Sequence, residues 1–191
     1  MEIKKLNFGS GTDVKEGYVN ADLSNADVNF DFDKFPYPFE DNYFDEIYAK
    51  ETIDHLSDYF AVMRELYRIS KPNAIIHIIT PFYHTAKAHK PTHHYHFSYA
   101  YFIGLSKDKV EREVIAERIE THKDINCEIV EFKTIPHKFF KWIPDIKLGK
   151  HIGLRYVLGM IFGEIVQELD VKLIVIKECV KKKLMRELNG R

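Results

Sequence analysis

The sequence predicts a single α/β domain of three layers, with a mostly parallel β-sheet between helices. Apolar segments of strand length alternate with helical patterns through the first half of the chain, and two further strand candidates near the carboxyl end close the sheet. Such alternation is typical of α/β domains. At 191 residues and 45% hydrophobic content, the chain can bury one substantial core but not two. We therefore expect one domain, residues 1–191.

The first three predicted strands follow each other unusually closely. Residues 6–8, 18–23 and 28–32 are strand candidates, joined only by residues 12–17 and 24–27. A parallel crossover normally needs about a dozen residues, usually helical. The helices after the first two strands must therefore be reduced or absent.

A loop, a strand and a helix follow. Residues 34–42 contain two prolines and the turn formers Asp-Asn, which predict a loop, and residues 45–49 predict a fourth strand. Ser57 or Asp58 can cap a helix whose apolar residues recur at helical spacing as far as Ile69.

The remaining elements are less regular. A turn at residues 71–73 precedes the nearly continuous apolar segment 74–80, which predicts a strand in the middle of the sheet, buried on both faces. Residues 128–135 and 171–176 predict two more strands, and residues 179–188 a basic surface helix. We divide the chain into residues 1–83, residues 84–170 with a helical insertion, and residues 171–191, which hold the last strand and the final helix.

The segment Gly9-Ser10-Gly11, after an apolar strand, and Asp22, at the end of the next strand, imply a ligand. Glycines let the backbone turn sharply close to a bound molecule, and the carboxylate can hold a ribose diol. This pattern serves dinucleotides as well as S-adenosylmethionine. A dinucleotide site needs a helix directly after the glycines, and residues 12–17 are too few for one.

Four segments in order resemble the class I S-adenosylmethionine-dependent methyltransferases, in their small type 11 branch. They are LNFGSGTD with GYVNADL, DF with FPYPFEDNYFDEIYA, IDHL, and LYRISKPNA, which together span roughly residues 5–83. The resemblance implies a Rossmann-like sheet of seven strands with an antiparallel last strand. It also implies S-adenosylmethionine as cofactor, held by Asn7, Gly9, Ser10, Gly11, Asp22, Leu23, Asp31, Phe32, Ala49 and Lys50.

Two residues depart from the family pattern. Asn7 replaces the acid before the glycine motif, and Asp13 replaces its third glycine. Asn7 can still hydrogen-bond an amino group but carries no charge. Weaker cofactor binding, or a protein without catalysis, is therefore an open alternative.

Candidates for a catalytic base follow the fourth and fifth strands: Glu51, Asp54, His55, Tyr83 and His84. Histidine titrates near neutral pH and is well suited to general-base catalysis. We predict His84 first, because it follows the central strand, and His55 second.

Residues 84–96 contain half of the ten histidines, which raises a metal hypothesis. His94 and His96 would face one side of an extended segment, with His84 or His89 completing a site. Because no carboxylate partner lies at ligand spacing, we assign no metal.

The expected activity is methyl transfer to a small-molecule or glycan-like acceptor. The alternative is a non-catalytic domain that binds S-adenosylmethionine or a metal and acts through a partner. The 28 basic and 29 acidic residues nearly cancel, so we expect no nucleic-acid partner. The resemblance assigns residues 1–83 to a cofactor-binding half and residues 84–170 to an acceptor or lid region. The apolar stretches 139–144 and 154–166 leave three roles open: a lid over the acceptor, the surface of a possible homodimer, or a contact with a membrane surface. We also expect no transmembrane segment and a cytoplasmic location with reduced cysteines.

Overall fold

The computed structural model describes residues 3–106 and 124–177 and contains a seven-stranded sheet. Its order is β3-β2-β1-β4-β5-β7-β6. The strands are β1 (Lys5–Phe8), β2 (Val19–Asp22), β3 (Val28–Asn29), β4 (Phe44–Lys50), β5 (Ser70–Pro81), β6 (Cys127–Pro136) and β7 (Val166–Val175).

The direction of the strands confirms the predicted sheet. The pairs among β1 to β5 are all parallel, whereas β7 is antiparallel to both β5 and β6. β7 begins at Val166, and its buried positions alternate from Leu169 to Val175. The boundary predicted at residues 170 and 171 therefore falls inside this strand. The predicted helix at residues 179–188 lies outside the described residues.

Three α-helices occur in the described residues: α1 (Tyr59–Ile69), α2 (Tyr99–Ile103) and α3 (Leu154–Phe162). Two 3₁₀ turns, Ile53–His55 and Lys138–Phe140, accompany them. Of the two predicted caps of α1, Asp58 is the one used, since its Oδ1 accepts a hydrogen bond of 2.9 Å from the Ala61 N–H. α1 buries its apolar face in the core together with the strands.

The sheet has two unlike faces. Leu6, Ile47 and Ile76 on one face are fully buried, whereas Glu46 and His77 on the opposite face are partly exposed. No helix lies between β1 and β2 or between β2 and β3, all of whose connecting residues the structure describes. The predicted reduction of the early helices is confirmed, and it leaves the second face thinly covered here.

Two expectations about the fifth strand are corrected. β4 is the middle strand of the seven, and β5 is the next one along. Alternate β5 residues are partly exposed, because the reduced helices do not cover that face. The predicted turn at residues 71–73 is a bulge within β5, marked by a positive φ of 66° at Asn73 and a register shift opposite residues 44–46.

Candidate cofactor cleft and active site

A cleft of about 390 Å³ opens at the carboxyl ends of β1, β2 and β4. This volume falls in the range of small-molecule sites. The predicted site residues that line it are Gly9, Gly11, Asp22, Leu23, Asp31, Phe32 and His55. Glu51, predicted only as a base, also lines it, as do Phe30, Asp33, Thr52 and Leu56, which the sequence analysis did not identify.

The glycine loop is anchored to the end of β2. Gly9 and Gly11 have positive φ angles of 76° and 48°, which a residue with a side chain rarely adopts. The N–H groups of Gly9 and Ser10 both donate to the carbonyl oxygen of Ala21, at 2.9 and 3.0 Å. The loop therefore passes directly beside the acid that follows Ala21.

That acid, Asp22, is held by backbone donors on both sides. Its Oδ2 accepts a hydrogen bond of 2.7 Å from the Gly11 N–H, and its Oδ1 accepts one of 2.7 Å from the Leu23 N–H. Each carboxylate oxygen can accept a further hydrogen bond. Asp22 is therefore oriented to accept from two neighbouring hydroxyl groups of a ligand in the cleft.

The opposite wall of the cleft is built from Asp31 and Phe32. The Asp33 N–H donates to Asp31 Oδ1 at 3.0 Å, and this hydrogen bond lowers the pKa of Asp31. The Phe32 ring stacks on Phe8 with centroids 4.0 Å apart, and the Tyr37 hydroxyl donates to the Phe32 carbonyl oxygen at 2.9 Å. These contacts give the wall a defined aromatic surface and a charged acceptor.

Asn7 faces away from the cleft. Its Nδ2 donates to the carbonyl oxygen of Asp13 at 2.7 Å and to Asn20 Oδ1 at 2.9 Å. The two departures from the family pattern, at residues 7 and 13, are therefore in contact, and the Asn7 side chain supports the loop from behind. Because Asn7 does not line the cleft, we no longer expect it to reach the cofactor directly.

Three other predicted residues also do not line the cleft. Ser10 is buried, and its Oγ has no hydrogen-bond partner among the described residues. Ala49 is buried within the sheet, and Lys50 is exposed at the end of β4. Their contact with a cofactor stays a prediction.

Glu51 forms an ion pair with Lys87. The Lys87 ammonium donates to the Glu51 carboxylate and, at 2.5 Å, to Glu168 Oε1. Burial raises the pKa of Glu51, but the hydrogen bonds to Lys87 and Glu168 and the nearby positive charges together outweigh burial, so the net shift of the pKa is downward. A carboxylate held in this way is a poor base for a substrate.

The two predicted catalytic histidines differ in position. His55 lines the cleft, and its Nδ1 lies 3.0 Å from the carbonyl oxygen of Thr92. A carbonyl only accepts hydrogen bonds, so Nδ1 carries the proton and Nε2 of the neutral ring is free to take one. His84 is exposed, does not line the cleft, and places Nδ1 3.2 Å from the carbonyl oxygens of Gly159 and Met160.

A buried acid lies beside His55. Asp54 is fully buried, and its Oδ2 lies 3.8 Å from His55 Nε2 and 3.2 Å from His93 Nδ1. Burial raises the pKa of Asp54 and lowers that of His93. The sequence analysis identified neither this grouping nor His93.

The predicted histidine set is not assembled. The rings of His89 and His96 lie together, with centroids 4.4 Å apart, but His84 bonds to the end of α3. Among the described residues, the group of side chains close enough to share a metal is Asp54, His55 and His93.

Comparison with known proteins supports the predicted fold and its resemblance to methyltransferases. The sequence profile of a methyltransferase domain matches residues 10–78. An S-adenosylmethionine-dependent methyltransferase from Archaeoglobus fulgidus is similar in structure, with 14% identity and a TM-score of 0.53 over 90% of this chain and 86% of the other. YcgJ of Bacillus subtilis has 12% identity and a TM-score of 0.52 over 93% of each chain.

The fold also occurs in a protein with another activity. The [4+2]-cyclase SpnF has 12% identity and a TM-score of 0.54 over 92% of this chain and 75% of the other. No curated protein sequence matches the chain. At such identities the solved structures show the fold alone.

The fold and the profile match agree with the family that the sequence resembles. Residues 10–78 match a methyltransferase domain, and the sheet has the fold of S-adenosylmethionine-dependent methyltransferases of known structure, a class whose cofactor is S-adenosylmethionine. The profile match ends before the second half of the chain, so the methyl acceptor is a separate question. None of the described helices is long and apolar enough to cross a membrane.

Proposed function

We propose that this protein transfers a methyl group from S-adenosylmethionine to a small-molecule or glycan-like acceptor. The observation that carries the cofactor part is Asp22, whose carboxylate oxygens are both oriented by backbone N–H groups at the bottom of the cleft. Asp22 would accept hydrogen bonds from the two ribose hydroxyls. These hydrogen bonds are strong because the acceptor is charged.

The rest of the cofactor would lie along the cleft. The loop of Gly9 and Gly11 would pass beside the methionine part, and Asp31 would accept from the adenine amino group. The Phe32 ring would enclose the base. The hydrogen bonds of the loop and the stacking of the aromatic wall already hold these segments in place, which supports the proposal.

A second hollow supports a small acceptor. It has a volume of about 380 Å³ and lies within the region predicted to bind the acceptor. Aromatic rings and a few polar groups form its walls, an arrangement that suits a sugar ring or a similar small molecule. Its lining residues are Tyr83, His96, Ser98, Tyr99, Ala100, Ile152, Tyr156 and Met160.

Methyl transfer requires little of the side chains beyond aligning the acceptor with the methyl group. S-adenosylmethionine supplies a methyl group on a leaving group that is already activated, so the protein must hold the acceptor in line. Positioning of this kind can contribute about 7 to 11 kcal/mol. Where the acceptor must lose a proton, we propose His55 over His84, because His55 lines the cleft and has a free Nε2.

Cofactor binding can be tested by titration calorimetry with S-adenosylmethionine and S-adenosylhomocysteine. We expect Asp22→Asn to weaken binding about 10- to 100-fold, since hydrogen bonds to a charged group contribute about 1.5 to 3 kcal/mol. The control is Asp27→Asn, because Asp27 accepts from the Asn20 N–H at 2.8 Å and does not line the cleft. Wild-type protein that does not bind at millimolar ligand would contradict the proposal.

The acceptor can be tested with methyl-labelled cofactor and fractionated cell extract. We expect label in low-mass or polysaccharide fractions, and a turnover about 100-fold lower for His55→Gln with unchanged cofactor affinity. Label confined to protein or nucleic acid would overturn the acceptor class.

One observation favours the alternative of a non-catalytic domain with a partner. Phe139, Trp142 and Phe162 are 69%, 77% and 70% exposed, which is unusual for large apolar side chains. These exposed side chains could instead support the predicted homodimer. Cofactor binding without any turnover in the extract experiment would select this alternative, and light scattering would report the oligomeric state.

A further inference from the structure

Three side chains of metal-ligand type meet at the edge of the cofactor cleft. Asp54 and His55 belong to the 3₁₀ turn Ile53–His55, and His93 comes from the loop between β5 and α2. Their ligand atoms all lie within 4.8 Å of one another. We propose that Asp54, His55 and His93 bind a divalent transition-metal ion, of which Zn²⁺ suits the donor set best.

The spacing of the ligand atoms fits such an ion. Zn²⁺ binds His nitrogen and Asp oxygen at about 2.0 to 2.2 Å in a tetrahedral arrangement, so two of its ligand atoms lie about 3.3 Å apart. Asp54 Oδ2 lies 3.2 Å from His93 Nδ1 and 3.8 Å from His55 Nε2. The ligand atoms lie no more than 4.8 Å apart, so a shift of the His55 ring by at most about 1.5 Å would complete the triangle.

The burial of Asp54 points to a missing partner. The residue is fully buried, and neither carboxylate oxygen has a hydrogen-bond partner among the described residues. His93, whose side chain is 3% exposed, likewise has no hydrogen bond at Nδ1. Such groups are costly to bury without compensation. The contact between Asp54 and His93 therefore does not amount to a hydrogen-bonded acid–histidine pair.

The surroundings hold the ligands in the required state. The Thr92 carbonyl accepts from His55 Nδ1 at 3.0 Å, which in the neutral ring leaves Nε2, the atom nearer Asp54, without a proton. Metal-binding histidines commonly donate their other N–H to a backbone carbonyl in this way. The His94 N–H donates to the Asp54 carbonyl oxygen at 2.7 Å, so the loop carrying His93 is tied to the turn carrying Asp54.

The site is open on the side of the cleft. His55 is 41% exposed and lines the cleft, whereas Asp54 and His93 are buried. Three protein ligands and one open position are typical of reactive zinc sites. In the metal-bound protein His55 Nε2 is a ligand and no longer a proton acceptor, so the two roles belong to different states of the protein.

The test is a titration of chelator-treated, full-length protein with Zn²⁺ by calorimetry and with Co²⁺ by visible absorption. We expect one ion per chain for the wild type and binding at least about 100-fold weaker for Asp54→Asn and His93→Gln. The matched control is the double variant His89→Gln, His96→Gln, which removes two histidines of the same segment that lie outside the group. It should bind like the wild type.

Thermal unfolding with and without Zn²⁺ tests the site even if a variant folds poorly. Zn²⁺ should raise the Tm of the wild type and of the control but not that of Asp54→Asn, a variant of unchanged shape that removes the buried charge. No stoichiometric binding by the wild type, equal binding by Asp54→Asn, or loss of binding in the control would each overturn the metal site. S-adenosylmethionine titrations of the same samples test the proposed function separately. Cofactor binding without metal binding would contradict the metal site alone.

Discussion

Gly9 packs against Thr52 so closely that a Cβ atom at position 9 would lie 2.1 Å from Thr52 Oγ1. Thr52 cannot easily move aside, because its Oγ1 donates to the carbonyl oxygen of Lys50 at 3.0 Å and lies 3.2 Å from that of Phe8. The glycine loop and the end of β4 therefore form one continuous floor of the cleft. This contact requires glycine independently of the positive φ angle.

We expect Gly9→Ala to lower the free energy of unfolding by about 2 to 5 kcal/mol, from overpacking against Thr52 and from backbone strain. Gly17→Ala is the matched control, since Gly17 has a φ of 78° with open space around it. It should lose only about 1 to 2 kcal/mol. Urea unfolding measures both, and calorimetry should show weaker S-adenosylmethionine binding for the first variant alone. Equal losses would show that the Thr52 contact does not matter.

Arg68 of α1 holds the loop at residues 33–42 in place. Its guanidinium donates to the carbonyl oxygens of Phe39 and Tyr37, at 2.9 and 3.0 Å, and pairs with Glu65 at 2.8 Å. We expect Arg68→Met to cost about 2 to 4 kcal/mol, because it leaves these acceptors and Glu65 without their donor.

Cofactor affinity should also fall in Arg68→Met, because Tyr37 in this loop bonds to Phe32. Arg64→Met is the control, since Arg64 lies on the same helix and pairs with Asp124 at the protein surface. Surface ion pairs contribute about 0 to 1 kcal/mol to stability. Chemical denaturation and cofactor titration of both variants check the prediction. Similar stability in the two variants would contradict it.

Glu131 should make stability depend on pH in the acid range. The ammonium groups of Lys133 and, at 2.6 Å, Lys172 lower the pKa of Glu131 to about 2. Because the pKa in the folded protein lies below the ordinary value of 4.5, the stabilisation is complete above pH 4.5 and is lost as pH falls towards 2.

We therefore expect Glu131→Gln to have a lower Tm than the wild type at pH 7 and the same Tm near pH 2. Calorimetric melts over this range measure the difference, with Glu128→Gln on the same strand as control. A difference that stays constant down to pH 2 would rule out the ion pairs as its source.

Cys127 should be unreactive in the native protein. Its side chain is fully buried, and burial raises its pKa to about 12. At pH 8 only about one thiol in ten thousand would be ionised, and the thiolate is the reactive form. In Cys179→Ser protein, which isolates Cys127, we expect no labelling by iodoacetamide until denaturant is added. Rapid labelling under native conditions would contradict this burial.

The sequence by itself determined the local structure around the cleft. The glycine turn and the cap of α1 were predictable, because each depends on residues close by in the sequence: Gly9 and Gly11 have positive φ angles, and Asp58 accepts from the N–H three residues further on. The cofactor roles of Asp22 and Asp31 stay predictions. The short links between the first strands likewise predicted the missing helices, since the number of residues limits what a connection can form.

Only the tertiary structure decided which distant side chains meet. In the folded protein His93 lies beside Asp54, and Asn7 hydrogen-bonds behind the glycine loop. His84 contacts α3 and does not line the cleft. These outcomes depend on how the segment after β5 packs against the turn after β4, and no local pattern in the sequence encodes that packing. The acceptor half of the chain is less predictable for the same physical reason.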